Sequence, residues 1–337
     1  DMSYVESVVK EISHNLKGYK IICTKSTVPI GTGKKIKNIL SRDFKEGSDF
    51  DYVSNPEFLR EGSAVKDFLW PDRIIIGTTS NKAYDIMCDI YRPLYINKNP
   101  VKHTTVETAE MIKYASNSFL ALKISYINEI ANLCELVDAD IHDVASAMGQ
   151  DGRISDKFLH PGPGFGGSCF PKDLDSLIAI SKEKNIVMET LIAAAKANKN
   201  QKLRMGMKLE KLIDGGIKNK KIAVLGLSFK ANTDDVRESS SIDMIKFILN
   251  KDGIIRAYDP IANISMSKLF KNLSYFDDVY DAIEGADALV VMTEWNEFRA
   301  LDLPRIKKIM KRAIVFDTRN IINMMELNKL GFVYDNI

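Results

Sequence analysis

The chain has 337 residues, which is long enough for about two domains with separate cores. Its charged fraction of 27% and net charge of +2 are ordinary for a globular protein. Because no long run of one sign occurs, the sequence argues against a nucleic-acid or membrane-surface partner. No apolar run reaches the roughly 18 residues that a membrane-spanning helix requires.

The cysteines and histidines show no metal-binding pattern. The four cysteines, at positions 23, 88, 134 and 169, form no CxxC pair, and the four histidines are scattered. We therefore expect no metal. Isolated cysteines in a chain of this size are typical of free thiols in a reducing compartment, so we expect a cytoplasmic protein.

The N-terminal segment opens directly on a helix signal. Ser3 and Glu6 have the spacing of a capping box, and apolar residues follow at helical intervals. This start leads us to expect a fragment of a longer chain, without the first part of its first domain.

Residues 1–104 alternate between strand and helix patterns. We predict strands at 19–24, 52–54 and 73–77 and helices at 31–40 and 82–91. Such alternation predicts βαβ units and a mainly parallel sheet.

The next segment, 101–148, contains neither Gly nor Pro. Thr104 and Glu107 have capping-box spacing, and apolar residues from Met111 to Leu133 recur at helical intervals. The pattern predicts one helix of unusual length, which is typical of a domain connector or a dimer face. After a glycine-rich loop, a second helical stretch is expected from about 173 to 213.

The alternation returns at Lys220. We predict strands at 221–226, 254–258, 288–292 and 313–316 and a helix at 239–249. The last two strands are continuous apolar runs, as expected for strands buried on both faces of a sheet. The chain is therefore predicted to be α/β, then helical, then α/β.

The strongest local signal is the glycine-rich segment 161–173, PGPGFGGSCFPKD. Its glycines let the backbone approach a ligand closely, and Pro171 suits the first turn of a helix. Cys169 is therefore expected at a helix N-terminus, where exposed N–H groups and the charge of Lys172 favour a thiolate. Asp173 is expected on the same face. The alternative interpretation is a buried, inert cysteine beside a tight turn.

Lys113 and Asn117 are four residues apart on the predicted long helix and share one face. Such a pair usually faces solvent, but an ammonium and an amide are also suited to stabilise a developing oxyanion. The sequence alone leaves both interpretations open.

Two further segments, 26–29 and 55–61, follow predicted strands. Because ligands of open α/β sheets bind beyond the carboxyl ends of the strands, we expect Thr27 and Glu57 to meet over one ligand. The alternative is a pair of ordinary turns between strands and helices.

The C-terminal region offers candidates for phosphate binding. Phe229 and Lys230 follow one predicted strand, Arg319 ends another, and Arg237 follows two aspartates. Arginine suits bidentate phosphate recognition, although either arginine alone is more often a surface ion-pair residue. No GxGxxG fingerprint is present, so these residues indicate an anionic ligand and do not by themselves indicate NAD.

Several segments, in order along the chain, resemble the UDP-glucose/GDP-mannose dehydrogenase family. They are Lys25–Pro29, Ser54–Gly62, Lys113–Asn117, Gly164–Asp173, Gly226–Lys230, Asp234–Ser239 and Thr293–Trp295. The glycine–cysteine segment is quite specific by itself, and the set covers essentially the whole chain.

The resemblance implies an α/β fold with two Rossmann-like doubly wound domains, the first incomplete, joined by a long-helix all-α dimerisation domain. We expect the remainder of the NAD-binding domain at 1–104, the helical domain at 105–214 and the UDP-sugar-binding domain at 215–337. The family's glycine fingerprint and its acidic residue for the NAD ribose precede the point where this chain begins.

The resemblance also implies the chemistry, a four-electron oxidation of the sugar C6 alcohol to a carboxylate with NAD as the cofactor. A first hydride transfer gives an aldehyde, the thiol takes it as a thiohemiacetal, and a second transfer leaves a thioester that water hydrolyses. The matched catalytic residues are Cys169 as the nucleophile, Asp173 as an acid/base or water-orienting group, Lys113 and Asn117 as oxyanion stabilisers, Glu57 as the base in thioester hydrolysis, and Thr27 as a water-orienting group.

The same matching assigns the ligand contacts, with UDP-glucose as the expected substrate and a homodimer as the expected assembly. The substrate contacts are Phe58, Leu59, Arg60, Arg153, His160, Gly164, Phe165, Gly166, Phe229, Lys230 and Arg319. The NAD contacts are Ser26, Thr27, Val28, Glu61, Lys172 and Arg237. Arg153 is expected to reach across the dimer, and His160 stands where some relatives carry Lys.

Three other functions compete with this one. Within the family, the substrate is GDP-mannose or a UDP-N-acetylhexosamine in other enzymes, although segments 164–169 and 293–298 look closer to UDP-glucose enzymes. The fragment alone could be a non-catalytic dimer that binds a nucleotide sugar. A thiol hydrolase that uses Cys169 with His160 as its base is the third.

Overall fold

The computed structural model describes residues 2–97 and 101–337. The chain divides into two compact units, the first formed by Asp1–Asn117 and Ala179–Ile186 and the second by Ser118–Ile178 and Val187–Ile337. The division into three domains at 104/105 and 214/215 stays a prediction.

The first unit is built on a four-stranded sheet. Its strands are β1 (Lys20–Thr24), β2 (Phe50–Ser54), β3 (Ile74–Gly77) and β4 (Val101–Thr104), and its helices are α1 (Ser3–Asn15), α2 (Thr32–Leu40), α3 (Ala64–Leu69) and α4 (Asn81–Tyr91), with a 3₁₀ turn at Arg92–Asn97. The strand order is β1-β2-β3-β4. The pairs β1/β2 and β3/β4 are parallel, and β2 meets β3 antiparallel at one residue pair, Ser54 with Gly77. The expected mainly parallel sheet is confirmed.

The apolar side chains of β2 alternate between two clusters because successive residues of a strand point to opposite faces. Phe50 and Tyr52 pack with Leu40 of α2. Val53 packs with Met87 of α4. Helices therefore cover both faces of this sheet, and Val9 of α1 packs with α2 on the first face.

The start of α1 differs from the prediction. The helix begins at Ser3, and Met2 occupies the capping position without a side-chain hydrogen bond. The expected capping box requires Ser3 as the N-cap, but Ser3 is already the first residue of the helix.

The predicted long helix begins one residue later than its expected cap, Thr104, would place it, and the strand before it was not predicted. Residues Val101–Thr104 form a strand, and the helix α5 (Val106–Cys134) begins after it. Thr105, not Thr104, caps α5, because its hydroxyl accepts the backbone N–H of Thr108 at 3.2 Å.

The same prediction is wrong at its end. The helix α5 stops at Cys134 and a new helix, α6 (Ile141–Gln150), follows, although the segment between them contains neither Gly nor Pro. Asp138 adopts a left-handed backbone with φ of 55°. The carboxylate of Asp140 then accepts the N–H groups of His142 and Asp143, at 2.7 and 3.3 Å. A short polar side chain tolerates the first conformation and favours a helix start, so two aspartates end one helix and begin the next.

The predicted helical stretch from 173 to 213 is also two helices, α7 (Phe170–Glu183) and α8 (Glu189–Leu212). Asn185, with φ of 57°, lies in the break between them. An asparagine again takes the left-handed conformation that usually favours glycine.

The second sheet has six strands. They are β5 (Lys221–Leu225), β6 (Ile254–Tyr258), β7 (Ser274–Tyr275), β8 (Ala288–Val291), β9 (Ile314–Asp317) and β10 (Val333–Asn336), and the helices are α9 (Ser240–Asn250), α10 (Asn263–Ser267), α11 (Val279–Ile283), α12 (Asn296–Arg299), α13 (Leu303–Ile309) and α14 (Met324–Lys329). The order is β10-β9-β8-β5-β6-β7, and all pairs are parallel. Counted from β5, this is the 3-2-1-4-5-6 order of dinucleotide-binding domains. The predicted doubly wound domain is confirmed.

The central strands of this sheet are buried on both faces, as their apolar runs predicted. Val290 and Phe316 belong to one core cluster, and Val291 and Val315 belong to the other. The order of strands reverses between β5 and β8, which is where ligands bind in such sheets. Across residues 2–97 and 101–337, no helix combines the length and apolarity that crossing a membrane demands.

Candidate active site

The glycine-rich loop 161–167 is held along its backbone by amide side chains from two helices. Asn198 on α8 accepts the N–H of Phe165 at 2.7 Å and donates to its carbonyl at 3.1 Å. Asn128 on α5 accepts the N–H of Gly162 at 2.8 Å, and Gln201 donates to the Gly162 carbonyl at 3.0 Å. The loop is therefore ordered although four of these seven residues are glycine.

Two of these glycines allow contacts that no side chain would permit. A Cβ atom at Gly166 would lie 2.1 Å from the carbonyl oxygen of Glu238. Gly167 has φ of +83°, and its Cβ position is 2.8 Å from the ring of Phe229. Its N–H donates to the Arg237 carbonyl at 2.8 Å. The loop therefore packs directly on the segment that follows β5, where Phe229 is a predicted substrate contact.

Cys169 lies at the N-terminus of α7, as predicted. Its carbonyl accepts the N–H of Asp173 at 2.8 Å, which makes it the residue that opens the first turn. Pro171 is in that turn, where it leaves no donor unpaired. The thiol is half-exposed, and Ser168 Oγ lies 3.6 Å from its Sγ. The alternative of a buried cysteine is therefore wrong.

The two charged residues after Cys169 pair with each other. Lys172 Nζ lies 3.1 Å from Asp173 Oδ1, with the aspartate fully buried and the lysine side chain 56% exposed. A buried carboxylate with an accessible cation beside it is suited to hold a water or a proton near the start of α7.

Arg319 lies at the carboxyl ends of the central strands of the second sheet. Its Nε donates to the Met292 carbonyl at 2.8 Å, and Nη2 donates to the Phe229 carbonyl at 3.3 Å. Nη1 lies 3.5 Å from the Cβ position of Gly162. The half-buried guanidinium is therefore next to the glycine loop, and its Nε also forms an ion pair with Glu294 Oε2 at 3.2 Å, so Arg319 is an ion-pair residue that is not fully at the surface.

Asp259, which the sequence did not single out, organises the same edge. Its Oδ2 accepts the N–H groups of Leu227 and Ser228 and the indole N–H of Trp295, at 2.7, 3.1 and 3.1 Å. Thr293 Oγ1 donates to the Ser228 carbonyl at 2.6 Å. These bonds fix the turn that leads to Phe229 and Lys230, and they give a role to the Thr293–Trp295 segment. An Asp-Pro step at the end of β6 was the only signal.

Three other arginines expected in ligand binding are held by nearby carboxylates. Arg60 pairs with Asp67 at 2.6 Å, Arg153 with Asp151 at 2.6 Å, and Arg237 with Asp235 at 2.8 Å. The Arg60 guanidinium, which hydrogen-bonds Asp67, lowers the pKa of that carboxyl to about 2. The alternative of a surface ion-pair residue is thus borne out for the exposed side chain of Arg237.

His160 is exposed just ahead of the glycine loop. It lines an open cavity of about 440 Å³ with His142 and Asp156. Among the described residues, no group of three or more His, Cys, Asp or Glu side chains is arranged to hold a metal ion.

In the first unit, Glu57 and Lys113 form an ion pair with Oε1 and Nζ 3.2 Å apart. Glu57 Oε2 also accepts the N–H of Leu59 at 2.7 Å. The Lys113 side chain is only 4% exposed, and Asn117 is buried as well. The solvent-facing interpretation of the Lys113–Asn117 pair is therefore wrong.

Phe58 lies between two cations next to this ion pair. The guanidinium of Arg73 is 3.9 Å from the ring centroid, and Lys113 Nζ is 5.2 Å from it. Such cation–π contacts hold the ring of Phe58 in place beside Glu57. Leu59 is half-buried, like Glu61.

The fold and these side chains are those of a Rossmann-type oxidoreductase. Profiles of the UDP-glucose/GDP-mannose dehydrogenase family match the chain at residues 1–95 (NAD binding domain), 107–200 (central domain) and 223–324 (UDP binding domain). The chain belongs to this family.

Relatives that match the whole chain carry one function in their names. UDP-glucose 6-dehydrogenase of Rhizobium meliloti is 47% identical over 100% of this chain and 77% of its own length. UDP-glucose 6-dehydrogenase TuaD of Bacillus subtilis is 43% identical over 100% of this chain and 72% of its own. A solved UDP-glucose dehydrogenase from the archaeon Pyrobaculum islandicum superposes with a TM-score of 0.90 at 32% identity, covering 99% of this chain and 75% of that one.

The residues that follow strand β1 are polar in a way that suits one end of the NAD molecule. Ser26 is exposed and Thr27 half-exposed, whereas Val28 is buried. These hydroxyls suit the polar groups of a nicotinamide riboside. The N-terminus of α2 does not suit the pyrophosphate, because the N–H groups of its Gly31 and Gly33 donate to Glu110, at 2.6 and 2.9 Å.

Proposed function

We propose that the chain oxidises the C6 alcohol of UDP-glucose to a carboxylate with NAD, through covalent intermediates on Cys169. The observation that supports this most is the position of the half-exposed thiol at the start of α7. It directly follows a clamped glycine loop that packs on Phe229 and faces Arg319. The choice of UDP-glucose is supported by relatives of that name at 47% and 43% identity.

The overall reaction turns a primary alcohol and one water into a carboxylate, two hydrides and three protons. Two molecules of NAD, bound one after the other, would accept one hydride each. The thiolate of Cys169 adds to the aldehyde carbon after the first oxidation, so the half-oxidised sugar stays attached to the protein. After the second oxidation the sulfur holds an acyl group, and water releases the carboxylate and returns the thiolate.

Each step has a proposed residue. Lys113 and Asn117 stabilise the oxyanions of the tetrahedral intermediates, since both are buried and polar. Glu57 takes a proton from the attacking water, and its ion pair with Lys113 holds the carboxylate in place. Thr27 orients that water, and Asp173 serves as an acid/base or water-orienting group.

The ligand contacts are proposals of the same kind. For UDP-glucose they are Phe58, Leu59, Arg60, Arg153, His160, Gly164, Phe165, Gly166, Phe229, Lys230 and Arg319. For NAD they are Ser26, Thr27, Val28, Glu61, Lys172 and Arg237. If Arg60, Arg153 and Arg237 bind ligand, each must share or leave its present carboxylate partner.

The test is a panel of nucleotide sugars at saturation, with NADH formation followed at 340 nm. We expect UDP-glucose to be turned over with two NADH per sugar, and GDP-mannose and UDP-N-acetylhexosamines to react far more slowly. Calorimetry with UDP-glucose and with NAD tests a second candidate function. A chain that binds the sugar but not the cofactor would be a non-catalytic binding unit. NAD-independent turnover would instead favour a thiol hydrolase.

We propose that the chain forms a homodimer through α5. Phe119, Tyr126 and Leu133 recur every seven residues on one face of this helix, and they are 60, 47 and 56% exposed. Three large apolar side chains in one stripe are expected to be covered by a partner. Tyr126→Asp should therefore give a monomer by light scattering, and an unchanged mass would contradict the dimer.

We also propose a cytoplasmic location and a role in supplying UDP-glucuronate for polysaccharide synthesis. None of the four cysteines, which all lie in the described part of the chain, forms a disulfide, and this suits a reducing compartment. Reporter fusions of the complete chain with a redox-sensitive fluorescent protein would test the location directly.

A further inference from the structure

A polar cluster lies at the root of the loop that carries Glu57. Lys25, next after β1, donates from Nζ to Asn55 Oδ1 at 3.1 Å, and the Tyr91 hydroxyl donates to the same oxygen. Asn55 is 1% exposed. Its Nδ2 donates to the Ile75 carbonyl at 2.6 Å. All the polar atoms of this buried amide side chain therefore have partners.

The backbone of Asn55 is fixed too, because its N–H donates to the Thr24 carbonyl at 2.9 Å. Glu57 follows two residues later, and the bond from Leu59 N–H to Glu57 Oε2 closes a tight turn. A short segment anchored at both ends leaves the Glu57 carboxylate little freedom, so its position depends on how Asn55 is held.

Lys25 brings a charge to this cluster as well as a hydrogen bond. Its Nζ lies over the rings of Phe68 and Tyr91, 5.8 and 5.3 Å from their centroids. The removal of water around it lowers the pKa of Lys25, and attraction to Cys23 and Glu57 opposes that shift. Lys113, and not Lys25, makes the direct ion pair with Glu57.

We infer that Lys25 is a positioning residue for Glu57, because its hydrogen bond to Asn55 fixes the root of the loop that carries the carboxylate. This inference rests on the proposed role of Glu57 in thioester hydrolysis. Loss of Lys25 should slow the last step of the reaction, when a water must be deprotonated, and leave the earlier formation of the acyl group intact.

The test compares Lys25→Met with Tyr91→Phe in the full chain. Both remove one hydrogen bond to Asn55 Oδ1, but only the first removes the charge. During turnover of UDP-glucose with NAD, Lys25→Met should accumulate a hydroxylamine-sensitive adduct on Cys169 by intact mass, while kcat falls about tenfold. KM for UDP-glucose should stay unchanged, and Tyr91→Phe, which removes the other bond to Asn55 Oδ1, should accumulate the adduct as well.

Glu57→Gln is the reference variant, because it separates a failure of the proposed function from a failure of the inference about Lys25. If Glu57→Gln turns over UDP-glucose without any adduct on Cys169, the proposed function itself fails. If Glu57→Gln traps the adduct and Lys25→Met does not, the inference about Lys25 is overturned. Lys25→Gln keeps a donor for Asn55 and is expected to turn over UDP-glucose without the adduct. Should Lys25→Met not fold, Tyr91→Phe tests the same anchor.

Discussion

Asn198 holds the backbone of Phe165 from both sides, with its Oδ1 at 2.7 Å from the Phe165 nitrogen and its Nδ2 at 3.1 Å from the Phe165 oxygen. One side chain on α8 therefore replaces the two backbone partners that a strand would have supplied. It does so at the centre of the glycine loop, where regular secondary structure is absent.

The first prediction is that Asn198→Leu loosens this loop. Two buried backbone groups lose their partners, which should lower the free energy of unfolding by about 1–3 kcal/mol. KM for UDP-glucose should rise about tenfold because the loop no longer presents a fixed surface. Asn200→Ala, an exposed change on the same helix, is the control. Equal KM values in the two variants would contradict the proposed function of the loop.

The second prediction concerns Cys169→Ser. A hydroxyl at this position is a poor nucleophile without a strong base, so net oxidation of UDP-glucose should fall by at least about a hundredfold. The dissociation constant for UDP-glucose, measured by calorimetry, should not change. Cys88→Ser, at another half-exposed cysteine, should keep full activity. Undiminished NADH production by Cys169→Ser would remove the thiol from the mechanism.

The third prediction uses Trp295 as a reporter of Asp259. The chain has two tryptophans, and Trp70→Phe leaves Trp295 as the single emitter. In that background, Asp259→Asn puts an amide N–H among backbone donors, so we expect a red-shifted emission and a loss of about 1–3 kcal/mol of stability. Asp277→Asn, at an exposed site, should change neither quantity. A wild-type spectrum for Asp259→Asn would mean that the turn does not depend on this carboxylate.

The fourth prediction concerns Lys123, whose Nζ donates to the carbonyls of Ile154, Ser155 and Lys157 at 3.0, 3.3 and 2.6 Å. Three carbonyl oxygens around one ammonium make a cage for a small cation. Lys123→Ala should speed tryptic cleavage after Arg153, and added ammonium ion should slow it again.

The control for that experiment is Lys199→Ala, which removes an exposed lysine from α8. It should leave the cleavage rate unchanged with or without ammonium. A Lys123→Ala protein cleaved no faster than the wild type would show that the loop is held by other contacts.

The sequence predicted features whose causes are local. Cys169 could be placed at a helix start because Pro171 and the preceding glycines are its neighbours in the chain. The strands around Val290 and Phe316 were evident because a strand buried on both faces must be apolar at every position. The break at Asp138 was missed because an aspartate takes a left-handed backbone only in some contexts.

The residues that were missed have distant partners. Asn198 acts on a residue 33 positions away, and Asp259 binds N–H groups 32 and 31 positions away. Lys25 and Asn55 are 30 apart. The residue types alone do not indicate such pairs, because asparagine and aspartate are also common in ordinary turns. The Glu57–Lys113 ion pair is of the same kind: each residue was a candidate by itself, but nothing in the sequence indicated that the two pair with each other.

Asp259 also bears on how one protein keeps two nucleotides apart. In domains with this strand order, an acidic residue beyond the second strand usually hydrogen-bonds the ribose of a dinucleotide. Here the equivalent carboxylate is 2% exposed and already receives N–H groups at both oxygens, with Ile261 and Ala262 at Oδ1. Because backbone N–H groups already occupy the Asp259 carboxylate, the ribose of an adenosine could not bind to it. We therefore expect the domain built on β5–β10 to compete poorly for the coenzyme.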